Sequence, residues 1–305
     1  MKIICTQENL RQGLAIASKI IPSVNTLPIL SNLLLKTSNG QLRISSTNLE
    51  LAINTHVRCK IQEEGQTTIT AKTFNDLVNN LPDENLFLSS NDKELTIKTE
   101  NQEFKIKTLP AEEFPFIPQN PEEKSISIEG EKLKEALNKV VFSTSNNQTQ
   151  PEISGVYFAM NNGQGRLVAT DRYRLSEKSF SAQGEAEVIL PQKAALEISR
   201  ILSYSKELAE IAIKENQFFI STGQTELISR LVDGQYPDYK NIIPENFNSI
   251  ITVDRNKLTN ALKTNSLFSQ NSSSVRIVFS IIMTTKASKS TATPTTTTTM
   301  TRTII

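Results

Sequence analysis

The sequence predicts an α+β fold made of tandem copies of one domain, in which two helices pack on antiparallel sheet. Three observations lead to this prediction: one strand–turn–helix unit occurs three times, later landmarks recur at nearly the same offset, and the other strands are short and joined by tight turns. Two copies are predicted to be complete, and the third is incomplete.

The repeating unit is clearest at residues 125–143, with the sequence SISIEGEKLKEALNKVVFS. An alternating strand is followed there by a polar turn and a helix with apolar residues at helical spacing. The unit opens the chain as MKIICTQENLRQGLAIASKI and returns at residues 249–268 as SIITVDRNKLTNALKTNSLF. The equivalent residues Leu10, Leu133 and Leu258 are 123 and 125 residues apart.

Later landmarks keep this offset between the first two copies. Thr47 and Thr170 end matching strands 123 residues apart, and the aromatic residues of Phe114-Pro115 and Tyr236-Pro237 are 122 residues apart. The competing explanation is the strand–helix–strand rhythm of many α+β chains. That rhythm would not hold a constant offset over most of a copy, so we interpret the pattern as a duplication.

The first copy contains signals for individual elements. Pro28 disfavours a strand at its own position, so a buried strand is predicted over Ile29–Lys36. The hairpin turn Ser38–Gln41 leads into Leu42–Ser46, and Glu50–Ile61 is predicted as a hairpin-like segment. A helix over Asn75–Leu81 and three more strands follow, over Leu86–Ser89, Glu94–Glu100 and Glu103–Thr108.

The second copy is predicted to follow the same plan, with a helix over Gln192–Leu202. The third continues through its helix to Leu267 and one strand at Ser274–Ser280, after which eleven threonines occupy positions 284–303. Nothing in this tail has a period with a buried face, so it is predicted to be disordered. We hypothesise a frameshift near Ser280, which a complete third copy in another reading frame would support and its absence would contradict.

Domain boundaries are predicted in the segments PQNPEEK and IPENFNS, which have the composition of linkers. They divide the chain into residues 1–122, 123–246 and a partial unit 247–280, followed by the tail 281–305.

Composition limits the possible functions. The net charge of +1 means that nucleic-acid binding would depend on uneven placement of charge. Two cysteines, Cys5 and Cys59, and the single histidine His56 disfavour most metal sites and most histidine-based catalysis. Cys5 is predicted to be a buried small apolar residue and His56 a strand-surface residue. No apolar run reaches membrane-spanning length and Met1 leads directly into a strand, so a cytoplasmic protein without signal peptide is predicted.

Three stretches together resemble the bacterial sliding clamp, the beta subunit of DNA polymerase III. They are TLPILSNLLL at 26–35, ATDRYRL at 169–175 and LVDGQYPDY at 231–239. The resemblance implies three similar clamp domains per subunit, with helices inside and sheet outside, and two subunits closed head to tail as a ring around duplex DNA. It implies a non-catalytic processivity subunit that needs no cofactor or metal. The implied partners are DNA polymerase III alpha subunit, the clamp loader and other clamp-binding repair polymerases.

A ring that slides needs cations directed at phosphates and few base contacts. The repeat helices supply candidates for this DNA-facing role, namely Arg11, Lys132, Lys139, Lys193 and Arg200. Lys193 and Arg200 match basic pore positions of the family. The alternative is that these residues are ordinary solvated helix faces.

The resemblance also places a peptide-binding cleft beside the second domain. The matching positions are Ile153, Thr170, Arg172, Tyr173, Arg174, Leu175, Pro237, Asn241 and Ile242. Apolar residues would form the slot and a few polar groups would orient a linear peptide. The alternative for Thr170–Leu175 is a simple turn between strands.

The subunit contact of the family matches Leu77, Phe104 and Ile106 in the first domain. The opposing half of this contact is expected in the third domain beyond Ser280. A second hypothesis is therefore a truncated relative that binds partner peptides without forming a ring. A third hypothesis is an enzyme using Asp171, Asp233 and Asp238. These aspartates have turn contexts and lack a histidine or nucleophile, so we interpret them as turn residues.

Overall fold

A computed structural model provides the structure of the chain. It describes residues 1–22, 27–91, 93–121, 126–147, 149–244, 246, 250–268, 275 and 277–278. The chain divides into two compact units, Met1–Asp238 and Tyr239–Ile305.

The first copy contains nine strands and two α-helices in the part that the structure describes. The helices are α1 (Gln7–Ala17) and α2 (Ala71–Asn80). The strands are β1 (Lys2–Thr6), β2 (Asn32–Ser38), β3 (Gln41–Thr47), β4 (Leu51–Arg58), β5 (Lys60–Glu63), β6 (Gln66–Thr70), β7 (Asn85–Ser90), β8 (Glu94–Lys98) and β9 (Glu103–Lys107).

The second copy repeats this order with eight strands and two α-helices among its described residues. The helices are α3 (Gly130–Val140) and α4 (Gln192–Ile201). The strands are β10 (Ile126–Glu129), β11 (Gly155–Asn161), β12 (Gln164–Thr170), β13 (Leu175–Ser181), β14 (Ala186–Pro191), β15 (Leu208–Lys214), β16 (Gln217–Thr222) and β17 (Thr225–Arg230).

The strands form three antiparallel sheets, which confirms the predicted fold class. One sheet has the order β5-β1-β7-β8-β9 and another β13-β12-β11-β14. The third has the order β10-β15-β16-β17-β4-β3-β2-β6 and therefore contains strands of both copies. The two copies meet where β17 pairs with β4, with Leu227 opposite Ile53 and Ser229 opposite Leu51. We call this pairing the domain joint.

The helices bury the faces that their apolar spacing predicted. Leu10, Leu14, Leu133 and Leu137 are at most 1% exposed. The core of the second copy also includes Ile53 and other residues from the first copy, so the core is continuous across the domain joint. Burial of this apolar surface is the main stabilisation of the joint.

Cys5 is buried as predicted. Burial, and to a smaller extent the neighbouring Cys59, raises the pKa of its thiol to about 12. The thiol therefore behaves as a small apolar group in the core, not as a reactive centre.

Two element predictions in the first copy were wrong. The stretch Ile29–Lys36 is not one strand, because Pro28–Ser31 forms a 3₁₀ turn and β2 begins only at Asn32. Glu50–Ile61 is not a hairpin, because β4 pairs with β3 and β17 whereas β5 pairs with β1 in another sheet. The chain crosses between sheets at Cys59, and local sequence contains no signal for that change of partner.

The second unit contains α5 (Arg255–Ser266), whose N-terminus is capped by Asp254 through a 2.8 Å bond from the Lys257 N–H. Leu258 and Ala261 on its apolar face are half-buried. The strand predicted before this helix is absent at residues 250–254. A strand is held by pairing with its neighbours, and the described part of this unit provides no partner.

The remaining predictions for the third copy fall mostly outside the described residues. Of the predicted strand Ser274–Ser280, only residues 275, 277 and 278 are described, and they are not in a strand. The tail 281–305 lies outside the described residues. Across the described ranges, no helix is both long and apolar enough to cross a membrane.

Candidate functional site

Four of the five predicted DNA-facing cations are exposed on the repeat helices. They are Arg11 on α1, Lys132 and Lys139 on α3, and Lys193 on α4. They lie outside the apolar stripe that each helix buries in the core. The structure adds Lys72, an exposed cation at the start of α2 that the sequence analysis did not select.

Lys132 and Lys139 of α3 are paired with nearby glutamates, Glu129 at the N-cap position and Glu135 within the helix. Lys132 Nζ lies 2.8 Å from Glu129 Oε1, and Lys139 donates to Glu135. That hydrogen bond and the charges of Lys139 and Lys178 lower the pKa of Glu135. All these side chains are about half exposed, so each pair contributes little to stability, but it reduces the positive charge that phosphate would meet.

Arg11 and Lys193 differ from these lysines in having no ion pair within the described ranges. Their charge is therefore fully available to a ligand. Arg200 is different again, because its guanidinium is half-buried and bonded to Glu197 and to a backbone carbonyl of α1.

The segment Thr170–Arg174 is a tight turn between β12 and β13. Thr170 Oγ1 donates to the Arg174 carbonyl at 2.8 Å and accepts from the Arg172 N–H at 3.1 Å. Asp171 Oδ1 accepts from the N–H groups of Tyr173 and Arg174, both at 3.0 Å. Arg172 has a φ of 75°, in the left-handed region.

The first copy contains the same turn at Thr47–Leu51. Thr47 Oγ1 donates to the Leu51 carbonyl, and Asn48 Oδ1 accepts from the N–H groups of Glu50 and Leu51. Leu49 has the same φ of 75° as Arg172. The backbone of this turn is therefore a property of the repeated domain, and only the side chains can make the second copy specific.

Those side chains form an aromatic and cationic surface. Tyr173 is 97% exposed, and the Arg174 guanidinium lies 5.7 Å from the ring centroid of Phe142. Ile153 and Thr170 are buried and Leu175 is half-buried beside them. The Ser143–Ser176 hydroxyl bond of 2.7 Å and the bond from the Ser145 N–H to the Ile153 carbonyl hold the neighbouring segments together.

Phe142 was not among the predicted site residues, although it is 55% exposed. Its sequence position, beside the buried end of a helix, resembles that of a core residue. The remaining predicted positions are divided between the units: Pro237 is exposed in the first, and Asn241 and Ile242 are exposed in a 3₁₀ turn of the second. The bonds through Ser145 and Ser143 therefore connect the segment of Ile153 with the strand that follows the 170–175 turn.

Asp171 holds the turn together and provides a first prediction. Burial acts to raise its pKa, but hydrogen bonds from the backbone N–H groups of Arg174 and Tyr173 and the Arg174 charge outweigh it, so the pKa lies below its usual value. We expect Asp171→Ala to lower the free energy of unfolding at pH 7 by about 1 kcal/mol, measured by denaturant titration. Asp171→Asn is the control, since Asn48 fills the same position in the first copy.

The pH dependence follows from the sign of this shift. A carboxylate with a lowered pKa in the folded state stabilises the protein above its unfolded pKa of about 4, and this stabilisation is lost as the pH falls further. The difference between wild type and Asp171→Ala should therefore shrink below about pH 4. A difference that stays constant down to pH 3 would contradict the assigned role.

The predicted subunit contact lies at a free sheet edge. β9 is the last strand of its sheet, and Phe104 and Ile106 are half-buried against the core of the first copy, as is Leu77 on α2. The equivalent positions in the second copy, 123 residues later, are Leu227 for Phe104, Ser229 for Ile106 and Arg200 for Leu77. All three lie at the domain joint, where Leu227 and Ser229 pair with β4 and Arg200 bonds to α1.

Comparison with known proteins agrees with this arrangement. The family model for the N-terminal domain of the DNA polymerase III beta subunit matches residues 1–118, and the model for its central domain matches residues 127–238. The beta sliding clamp of Rickettsia bellii is 33% identical over 263 residues, which cover 84% of this chain and 69% of that protein. The chain belongs to the bacterial beta sliding clamp family.

Further relatives extend the same result. The beta sliding clamp of Synechococcus elongatus is 30% identical, covering 86% of this chain and 73% of that protein. The DNA polymerase sliding clamp of Bacillus subtilis superposes with a TM-score of 0.85 at 26% identity, covering 89% of this chain and 75% of that one. The Pseudomonas aeruginosa sliding clamp bound to griselimycin gives 0.83 at 28% identity, covering 88% and 74%.

Membership of the beta sliding clamp family determines the general function. The clamp is a processivity factor of DNA polymerase III in DNA replication, and it is not an enzyme. DNA and the polymerase are therefore its kinds of partner. This excludes the hypothesis of an enzyme using Asp171, Asp233 and Asp238.

Proposed function

We propose that this clamp holds duplex DNA against its cationic helices as part of a head-to-tail ring of two copies. In this proposal β9 joins a second copy, and the surface around the 170–175 turn binds peptides of DNA polymerase III alpha subunit, the clamp loader and repair polymerases. The proposal keeps the division into clamp domains at 1–122, 123–246 and 247–280.

The domain joint is the observation that carries the proposal. Within the chain, one edge strand, β17, pairs with β4 and completes a continuous sheet of eight strands. β9 is the counterpart of β17 in the first copy, and it ends its sheet with an unpaired edge. Because an open edge with half-buried Phe104 and Ile106 favours pairing with another strand, a second copy that supplies the counterpart of β4 would cover it.

The helices support the DNA-facing part of the proposal. Their exposed cations can contact phosphates without reading bases, which suits a protein that slides. Arg11 and Lys193 are the strongest candidates because they have no competing carboxylate within the described ranges. Lys132 and Lys139 would have to exchange a glutamate for a phosphate.

The surface around the turn supports peptide binding. Half-buried Leu175 and the exposed ring of Phe142 provide apolar area, Arg172 is an exposed cation at its rim, and Ile153 is buried and offers no such area. A linear peptide with apolar anchors and an acidic group would match this chemistry. Asn241 and Ile242 stay predicted peptide contacts on the resemblance alone.

Clamp loading on circular DNA tests the ring. The protein is loaded with clamp loader and ATP onto a nicked circle and isolated by gel filtration, before and after linearisation of the DNA. Retention on circles with loss after linearisation is the expected result, because only a closed ring is held topologically. Equal retention on both DNA forms would show ordinary surface binding.

A separate measurement tests the peptide site. A fluorescent peptide from the polymerase alpha subunit should bind with an affinity that Leu175→Asp and Phe142→Ala both reduce. Phe116→Ala, at an exposed residue just before the linker, should leave it unchanged. Peptide binding without retention on circles would favour the second hypothesis, a relative that binds partners without encircling DNA.

A further inference from the structure

The domain joint contains a polar contact besides its strand pairing. Arg200 in the last turn of α4 donates from Nη2 to the carbonyl oxygen of Ile16 at 3.0 Å. Its Nε donates to Glu197 Oε2 at 2.7 Å, and its guanidinium carbon lies 5.8 Å from the ring centroid of Tyr204. A single side chain of the second copy is thus held by its own helix and bonded to a helix of the first.

The acceptor explains why this bond matters. Ile16 lies in the last turn of α1, where carbonyl groups have no partner within the helix and need another donor. Ser46 of the first copy donates to the next carbonyl, that of Ala17, at 2.6 Å. The end of α1 is therefore capped jointly by a residue of its own copy and by Arg200 of the other.

The burial of Arg200 conflicts with a direct DNA contact. Its side chain is only 21% exposed, compared with 49% and 55% for Lys132 and Lys139. The remaining nitrogen, Nη1, is inaccessible to solvent and has no partner among the described residues. A phosphate could reach this guanidinium only after the contact with Ile16 or Glu197 had opened.

We propose that Arg200 is a positioning residue that fixes the angle between the first and second clamp domains, not a phosphate ligand. Its planar fork reaches two acceptors while lying over an aromatic ring, a combination that lysine cannot reproduce. The inference rests on the proposed ring only in that this angle sets the curvature of the wall around DNA. The contact between Arg200 and Ile16 lies within a single chain and requires neither DNA nor a second copy.

Hydrogen–deuterium exchange on the free protein tests the positioning role. Arg200→Ala and Arg200→Lys should both raise exchange about tenfold in the last turn of α1 and at the β4–β17 amides, while β12 and β13 stay protected. Lys193→Ala is the matched control, being an exposed cation on the same helix, and should leave exchange unchanged. If Arg200→Ala does not fold, Arg200→Met keeps the aliphatic stem and is tested in the same way.

The salt dependence of DNA binding distinguishes the two roles. Lys193→Ala should reduce the slope of log K against log salt by about 0.9, the value of one lost phosphate contact, while Arg200→Lys leaves the slope unchanged. The proposal is overturned if Arg200→Ala reduces the slope like Lys193→Ala, Arg200→Lys restores it and exchange at the joint does not change. Because exchange is measured without DNA, failure of the ring proposal would leave this result readable.

Discussion

Replacing Arg11 and Lys193 together by glutamine is expected to weaken the binding of duplex DNA about 30-fold at 0.15 M salt. Each lost phosphate contact lowers the slope of log K against log salt by about 0.9, so the pair should lower it by about 1.8. The physical reason is counterion release, since each cation that meets a phosphate frees an ion condensed on DNA. Fluorescence anisotropy of a short labelled duplex across a salt series measures both quantities.

The matched control is the double variant Lys132→Gln and Lys139→Gln. It removes the same formal charge from the same set of helices, but both lysines already donate to glutamates. We expect a clearly smaller loss of affinity, because forming a phosphate contact there also requires breaking an ion pair. Equal losses of affinity from the two double variants would show that ion pairing does not decide which cations contact phosphate. No loss from either variant would show that these helices do not contact DNA.

The second large effect concerns stability. Phe158→Ala on β11 should lower the free energy of unfolding by about 3–5 kcal/mol and the thermal midpoint by about 10 °C. Phe158 is 1% exposed and meets Phe218 edge to face, with ring centroids 5.7 Å apart. Truncation loses this contact and leaves a cavity in the core that both copies share.

The control for this variant is Phe116→Ala. Phe116 is 87% exposed, so the same change of residue type should alter the free energy of unfolding by less than about 0.5 kcal/mol. Scanning calorimetry checks both variants. Because the core crosses the domain joint, residues 1–238 should unfold in one transition, and a separate early transition of the second copy in Phe158→Ala would contradict a shared core.

Local pattern was sufficient for the helices and for the duplication. The spacing of Leu10 and Leu14, and of Leu133 and Leu137, predicted the buried faces of α1 and α3, because residues three or four apart lie on the same face of a helix. A constant offset then identified the same domain twice. The 170–175 turn was also predictable, since threonine and an Asx residue bond their own backbone in both copies.

Strand partners were not predictable in the same way. Nothing within β4 indicates that it pairs with β17, and nothing near Cys59 indicates that β5 joins a different sheet. A strand pairs through backbone groups that every residue carries, so its partner is chosen by the packing of the whole domain. The same limit explains why a strand was wrongly predicted at residues 250–254.

The same distinction between sequence and tertiary structure applies to the candidate site. The sequence determined which residues could bind DNA or a peptide, because charge, aromatic rings and their positions in the repeat are properties of the chain. The pairing of Lys132 and Lys139 also follows from sequence, because their glutamates lie three and four residues away on a helix or at its start. Only the tertiary structure decided that Arg200 is withdrawn from solvent in the domain joint. The reason is that its burial and its bond to Ile16 depend on neighbours distant in sequence.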